Sequence, residues 1–404
     1  RKSGVMDYFS ADSNSKIPSV TEGLRQNLRP IAQDKALKIL KNDTNSGLPF
    51  VVRKGRVKDE YAKDLENLLS REDPCVLFTR TQEQEKTRTV WGYPMADSLY
   101  EMMYYSPLLE YQRKLPWRSS LNSSDAVDMR LTEIIRSAKR DKLNLVSIDF
   151  SAYDASVKTT LQEGAFNYIK SLYQSQFHSD IDRIKVRFNT IGLITPDGVL
   201  SGPHGVPSGS TFTNEVDSIA QFLLAREAGE NLFDIQGDDG AYATADPTRL
   251  FDHFVSYGLN VNKDKSYVRD NSLVYLQNLY HEDYETDGIV RGVYPVYRAL
   301  NRILYLERFI DLEGFIPGKD YFSIRTLSIL ENCKYHPLFE QLVKYILSLD
   351  KYNLAYSEDS LVKYIKRIEQ ERGVQGILNF RPEDNVTGIR NFESVKLVAK
   401  LTTG

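Results

Sequence analysis

The sequence predicts a chain of mixed α and β structure, and three observations carry that prediction. Leu145–Phe150 and Phe233–Gln236 alternate apolar and polar residues as strands do. Gly237-Asp238-Asp239-Gly240, directly after the second, reads as a hairpin tip. Beyond Tyr294 apolar residues recur instead at helical spacing: Leu300, Ile303 and Leu304, then Leu338, Leu342, Tyr345, Ile346 and Leu349, then Leu361, Tyr364, Ile365 and Ile368. Periodicity supports no finer class than this.

In the first strand Val146, Ile148 and Phe150 share one face, which leaves Asp149 on the other, at the strand's end. In the second, Phe233 and Ile235 alternate with Asp234 and Gln236. Adjacent aspartates repel, a cost tolerated at a tip where water or a cation compensates. If the two strands are neighbours, Asp149 and Asp238 converge on a hard-oxygen site that suits Mg²⁺. Two such ions can stabilise the attacking and leaving oxygens of a phosphoryl or nucleotidyl transfer. Alone, Gly-Asp-Asp-Gly is a common turn. The stretch between the strands adds specificity: Ser201–Ser218 opens as a Gly- and Pro-rich loop and closes with Val216, Ile219, Ala220 and Leu223 at helical spacing. Ser208 is expected to cap that helix, placing Ser208-Gly209 where a helix N-terminus suits phosphate or ribose.

In this order, DFSAYD, SGSTFTNEVDS and QGDD resemble motifs A, B and C of the viral RNA-dependent RNA polymerases. The wording GVPSGSTFTNEVDS, with GVYPVYRALNR downstream, is most similar to the picobirnavirus branch, the partitiviruses coming next. The resemblance runs from Asn45 to Leu349. It implies an α+β right-hand polymerase: a palm with an antiparallel sheet flanked by helices, fingers, and a helical thumb. The expected division is fingers 1–140, palm 141–158, a fingers insertion 159–205, palm 206–285 and thumb 286–404.

Along the chain, residues 1–44 are polar, with one helical candidate at Lys35–Leu40. Thr44–Phe50 is a Gly/Pro loop resembling motif G, which steers template. Arg53, Lys54, Arg56 and Lys58 precede a helical stretch through Leu65 and Leu69 to Arg71. An apolar strand then runs into Arg80, Lys86 and Arg88, with Glu83 and Glu85 interleaved, which resembles motif F. From Asp154 a helix is expected through Val157, Leu161, Ala165, Tyr168 and Leu172, with Asp154 as its alternative role of N-cap. Arg183–Ser201 reads as strands around a Pro-Asp-Gly turn, and Leu250–Val255 as a helix closed by Gly258. Lys263 and Lys265 are expected on one side of an extended segment resembling motif D, and VYLQNLYH resembles the motif E hairpin. Arg298, Arg302 and Lys366 are candidate RNA-backbone contacts.

The resemblance also implies roles. Asp149 and Asp238 would hold Mg²⁺, with Mn²⁺ the alternative ion and Asp239 a secondary ligand. Lys265 would protonate the leaving pyrophosphate, Lys263 being the alternative. Asp154 would accept from the ribose 2′-hydroxyl, with Ser208, Gly209, Thr213 and Asp217 around it, and Lys86, Arg88 and Arg80 would bind triphosphate. The implied function is RNA-templated synthesis that replicates and transcribes a double-stranded RNA genome. Its partners are an RNA template and nascent strand, NTPs and a viral capsid protein, in the virion or the host cytoplasm. Two rivals are weighed: a reverse transcriptase, disfavoured by Asp154 and Gly237 where such enzymes carry aromatic or apolar residues, and a non-catalytic RNA-binding or capsid-associated protein.

Composition agrees. A length of 404 residues suggests two or three modules, and 41% hydrophobic with 26% charged residues is ordinary for a soluble protein. No apolar run approaches a membrane span, and no signal-peptide pattern opens the chain. Cys75 and Cys333 lie too far apart for a zinc or disulfide pattern, which fits a reducing compartment. A net charge of -3 confines RNA contact to a local basic channel. A chain that starts at Arg1 is expected to have lost an upstream segment.

Overall fold

The computed structural model describes residues 2–20, 27–81, 87–306, 310–372 and 381–403. Two four-stranded sheets divide the strands. Strands β1 (Cys75–Thr81), β2 (Thr87–Gly92), β4 (Leu193–Thr195) and β5 (Gly198–Leu200) lie in the order β2-β1-β4-β5, with β1 and β4 parallel. Strands β3 (Asn144–Ile148), β6 (Leu232–Gln236), β7 (Asp239–Thr244) and β8 (Tyr267–Arg269) form an antiparallel sheet in the order β6-β7-β3-β8. Strands β9 (Ser272–Tyr275) and β10 (Asn278–His281) make the separate hairpin expected of VYLQNLYH.

The second sheet is covered on both faces, which explains why β3 is buried along its length. Val146, Ile148 and Phe150 face a core shared with the helices Thr159–Leu172 and Thr213–Glu227. Leu145 faces the opposite way, with Ala241 and Ala243, onto the helix Ser124–Asp141. That helix buries Val127, Leu131, Ile134, Ile135 and Ala138, each worth about 1–3 kcal/mol of transfer free energy. Ser123 caps it by accepting from the Ala126 amide, and Lys142 ends it in a left-handed conformation. Polar Ser147 is tolerated within β3 because its hydroxyl accepts the Val274 amide at 2.7 Å, fastening β9 beside the sheet.

Three expectations are corrected. The helix anticipated from Asp154 is broken: Tyr153–Ser156 forms one short turn of helix, Val157 leaves helical geometry, and Thr159–Leu172 begins anew. The first part of Arg183–Ser201 is helical, because Ile181, Ile184 and Phe188 bury one face of His178–Thr190; only Leu193–Leu200 makes the expected strands and turn. Lys263 and Lys265 lie in a turn, where the Asn262 carbonyl accepts from both the Lys265 and Ser266 amides, and not on one extended segment.

The C-terminal helices Val296–Leu304, Phe339–Leu349 and Glu358–Arg372 occur where periodicity places them. Two more, Gly318–Glu331 and Glu393–Thr403, complete the bundle. Gly318–Glu331 escapes a periodicity search because it is buried nearly all round, with polar Asp320, Ser323, Thr326, Ser328 and Glu331 inside. Three of those groups are hydrogen-bonded: Asp320 accepts from Ser357, Ser328 donates to the Ile324 carbonyl, and Glu331 accepts from the Ser394 amide. Arg302, a candidate RNA contact, instead pairs with Glu383 at 2.6 Å. Both cysteines are buried and free, and no helix among the described residues is long and apolar enough to cross a membrane.

Candidate active site

The acidic site is assembled by strand register. Ile148 pairs with Gly240 and Gln236 with Asp239, so Asp149 leaves β3 at the end of the sheet where the Gly237-Asp238 turn closes β6 onto β7. Gly237 takes φ +62°, a left-handed value that glycine adopts without strain. Its amide donates to Ser218 Oγ at 2.8 Å and its carbonyl accepts from Gln221 Nε2 at 2.9 Å, so the Thr213–Glu227 helix grips the turn on both sides. Asp149 is held as firmly, its amide donating to Ser266 Oγ at 3.0 Å and its carbonyl accepting from the Asn262 amide at 2.8 Å.

Solvent reaches Asp238, yet protein surrounds it; that burial first, then Asp154 and Asp149, pushes its carboxyl above the usual range. Burial and then Asp238 push Asp239 up to about 7, and Asp239 Oδ2 accepts the Leu276 amide at 2.8 Å, at the tip of the β9–β10 hairpin. Asp149 and Asp238 have no ion-pair partner among the described residues, whereas Asp239 has one oxygen committed to the backbone. The donor set fits a hard divalent cation. Among those residues no group of three carboxylate, imidazole or thiol side chains forms a complete cage, so such an ion would complete its shell with water and substrate phosphate, as Mg²⁺ does.

Next to this pair lies a second one. Asp217, buried at 4% exposure, faces Asp154, which is half-buried, and the two side chains are hydrogen-bonded. Burial, then the charges of Asp154 and Asp238, raise Asp217 well above its usual range; burial raises Asp154 while the bond from Asp217 and the charge of Arg88 pull it down.

Ser208 does not cap the helix. Thr213–Glu227 begins later, with no side-chain cap, and Ser208 Oγ donates to the Thr89 carbonyl at 3.2 Å and accepts the Trp91 amide at 3.3 Å. Gly209 lies flush against β2; a Cβ there would stand 1.6 Å from the Trp91 carbonyl oxygen. Thr213 Oγ1 donates to the Pro207 and Ser210 carbonyls. Neither hydroxyl orients Asp154; Asp217 does.

On β1 and β2, Arg80 and Arg88 stand directly opposite in register, both exposed. Lys86 lies outside the described residues. Lys265 and Lys263 are exposed.

A family model described as viral RNA-dependent RNA polymerase matches residues 8–347. The chain belongs to the viral RNA-dependent RNA polymerases. It is 28% identical, over 88% of its length and 73% of the relative's, to a potential RNA-dependent RNA polymerase of human picobirnavirus (strain Human/Thailand/Hy005102/-). It is 26% identical to the RNA-directed RNA polymerase of Cryptosporidium parvum virus 1 (strain KSU-1), over 84% and 72% of the two chains. The crystal structure of the RNA-dependent RNA polymerase of a human picobirnavirus superposes with a TM-score of 0.84 at 26% identity, covering 99% of this chain and 83% of that one. An insertion-loop deletion mutant of such a polymerase gives 0.80 at 26% identity, over the same shares of the two chains. The chain is thus an RNA-directed RNA polymerase that binds RNA and NTPs, of a family that uses divalent metal ions, with the α+β right-hand fold.

Sequence reading missed much of the polymerase's supporting structure. Arg118 and Glu215 form a fully buried double hydrogen bond at 2.8 and 2.7 Å, and Arg118 also reaches Gln236 at 3.4 Å. Ser119 and Tyr275 donate to buried Asp234, and Ser120 to Gln236. The readable signal was polarity in the wrong place: Asp234 and Gln236 in a buried strand, Ser218 and Gln221 beside an apolar stripe. Ser218 and Gln221 brace the turn that carries Asp238, while Asp234 and Gln236 tie the strand leading into it to Ser119, Ser120 and Tyr275.

Proposed function

We propose that this polymerase extends an RNA strand on an RNA template by two-metal nucleotidyl transfer at Asp149 and Asp238, with Mg²⁺ as the ion and Mn²⁺ the alternative. The observation that carries this reading is the convergence, at one end of the antiparallel sheet, of two carboxylates without ion-pair partners among the described residues, Asp149 fixed through its own amide and Asp238 through the amide of Gly237 before it. Bound there, the ions would stabilise the attacking 3′-hydroxyl oxygen and the leaving phosphate oxygen. Asp149 and Asp238 supply the charge, Asp239 secures the turn to the hairpin, and the opposed Arg80 and Arg88, with Lys86, attract the triphosphate. Ionised Asp154 accepts from the ribose 2′-hydroxyl, with Asp217 holding it in place. Lys265 protonates the leaving pyrophosphate, with Lys263 the alternative.

In this reading the fingers comprise residues 1–140 and 159–205, the palm 141–158 and 206–285, and the thumb 286–404. The picobirnavirus and Cryptosporidium parvum virus 1 relatives are consistent with a role in replicating and transcribing a double-stranded RNA genome; a capsid protein as partner, and action in the virion or host cytoplasm, complete the proposal.

Nucleotide incorporation on an RNA template, with NTPs and dNTPs run side by side in Mg²⁺, tests the reading. Wild type is expected to prefer NTPs. Asp238→Asn should fall below detection with an equal or higher Tm, since the change relieves repulsion around the turn. Near-normal synthesis by that variant would remove Asp238 from the metal site.

A further inference from the structure

The N-terminal helix Lys2–Tyr8 ends beside the nucleotide site. The Tyr8 carbonyl accepts the Gly205 amide at 2.8 Å and the Lys158 ammonium at 2.9 Å. Gly205 in turn lies flush on Asp154: a Cβ there would stand 2.5 Å from the Asp154 carbonyl oxygen, and the next amide, that of Val206, donates to that oxygen at 2.7 Å. The Tyr8 ring packs on Trp91 with centroids 5.5 Å apart, and Phe9 stacks on the same indole at 5.9 Å. Tyr8 is therefore fixed between the segment that carries Asp154 and β2, which carries Arg88. Apart from burial, the charges acting on its hydroxyl are those of Asp154, Asp217 and Arg88. Among the described residues that hydroxyl has no hydrogen-bond partner, and Tyr8 is half-buried rather than sealed.

We propose that Tyr8 is a further specificity-determining residue of the nucleotide pocket, its hydroxyl donating to the 2′-hydroxyl of the incoming ribonucleotide while Asp154 accepts from the same group. The proposal rests on the reading of Asp154 as the ribose acceptor. A 2′-hydroxyl both donates and accepts, so one acceptor and one donor satisfy it completely; a deoxyribonucleotide leaves both protein groups without a partner. Burial and the two carboxylates keep the phenol protonated and able to donate. The sequence gives no hint of this role, because Tyr8 lies in a polar N-terminal stretch far from every motif.

The test compares single-nucleotide incorporation of matched NTP and dNTP by wild type, Tyr8→Phe and Asp154→Ala. Phenylalanine keeps the ring on Trp91 and every backbone bond, so folding is preserved and the Tm should stay within about 2 °C of wild type. Tyr8→Phe should lower kcat/KM for NTP about tenfold, mainly through KM, and for dNTP by a smaller factor, narrowing the ratio as Asp154→Ala also does. If Asp154→Ala narrows the ratio and Tyr8→Phe leaves it at the wild-type value, Tyr8 is discarded and the Asp154 reading stands. If Asp154→Ala lowers NTP and dNTP use equally, the ribose reading fails and takes Tyr8 with it.

Discussion

Glu101 shows how a single side chain can make this enzyme sensitive to pH away from its chemistry. Its carboxylate is fully buried under the loop that carries Ser208-Gly209, accepting from the Ser210 hydroxyl and the Thr211 amide. Burial pushes it up from 4.5 to about 8, against the pull of those two bonds. Between these values the folded chain holds a proton that the unfolded chain has lost, so stability falls as pH rises through the window and stays lower above it. Glu101→Gln has no such proton. Thermal melts from pH 5 to 9 should show the wild-type Tm losing about 5 °C more than the variant's, on a scale of roughly 1 °C per kcal/mol for a chain of this length; parallel curves would show that Glu101 is ionised throughout. Residues of this kind are illegible in sequence. Asp149 and Asp238 could be read because a strand end and a glycine turn expose them, and Asp217 because it falls in a recognisable motif, whereas Glu101 sits in a helix where a carboxylate ordinarily faces water.

At the scale of elements, the buried Arg118–Glu215 pair joins the Pro116–Leu121 turn to the Thr213–Glu227 helix and, through Gln236, to β6. Removing one partner strands a charge in the interior, a loss of about 3–5 kcal/mol. Glu215→Gln should therefore lower the denaturation midpoint in urea strongly, and Arg118→Met with Glu215→Leu together should recover much of it, because two apolar side chains leave no charge uncompensated. A double variant as unstable as the single one would mean that the bond to Gln236 dominates. Strands β3 and β6 were legible because apolar alternation survives burial on two faces. The Gly318–Glu331 helix was not, since its polar residues point inward to Ser357 and Ser394, partners too distant in sequence for any periodicity to register. The misread Ser208 has the same cause: its hydroxyl belongs to β2, not to the helix that follows it.

Across the whole molecule, the hairpin that receives Asp239 also touches the C-terminal region proposed as the thumb. Leu276 and Gln277 form its tip, both at positive φ; the Leu276 amide holds Asp239, and Gln277 Oε1 accepts from Arg381 at 2.5 Å. Gln277→Ala should loosen the thumb without disturbing the carboxylates. We expect elongation complexes to dissociate several-fold faster while single-nucleotide addition stays within about twofold of wild type. Equal losses in both would place Gln277 in the chemistry of addition. With a net charge of -3 the chain cannot hold RNA by overall attraction, so local ties of this sort govern how long it stays on a template.

The strand order β6-β7-β3-β8 bears on how the protein is made. β3 is the inner strand that emerges first from the ribosome, yet both of its neighbours are encoded roughly a hundred residues or more downstream, Leu145 pairing with Ala243 on one side and Arg269 on the other. At ~5–20 residues per second the nascent chain waits about 5–20 s with an apolar, two-edged strand and no partner to cover it. The helix Ser124–Asp141, already synthesised and directly preceding β3, can shield one face during that interval but neither edge. Translation speed between β3 and β7, and not only the finished sequence, therefore sets how much of the newly made chain reaches the active fold.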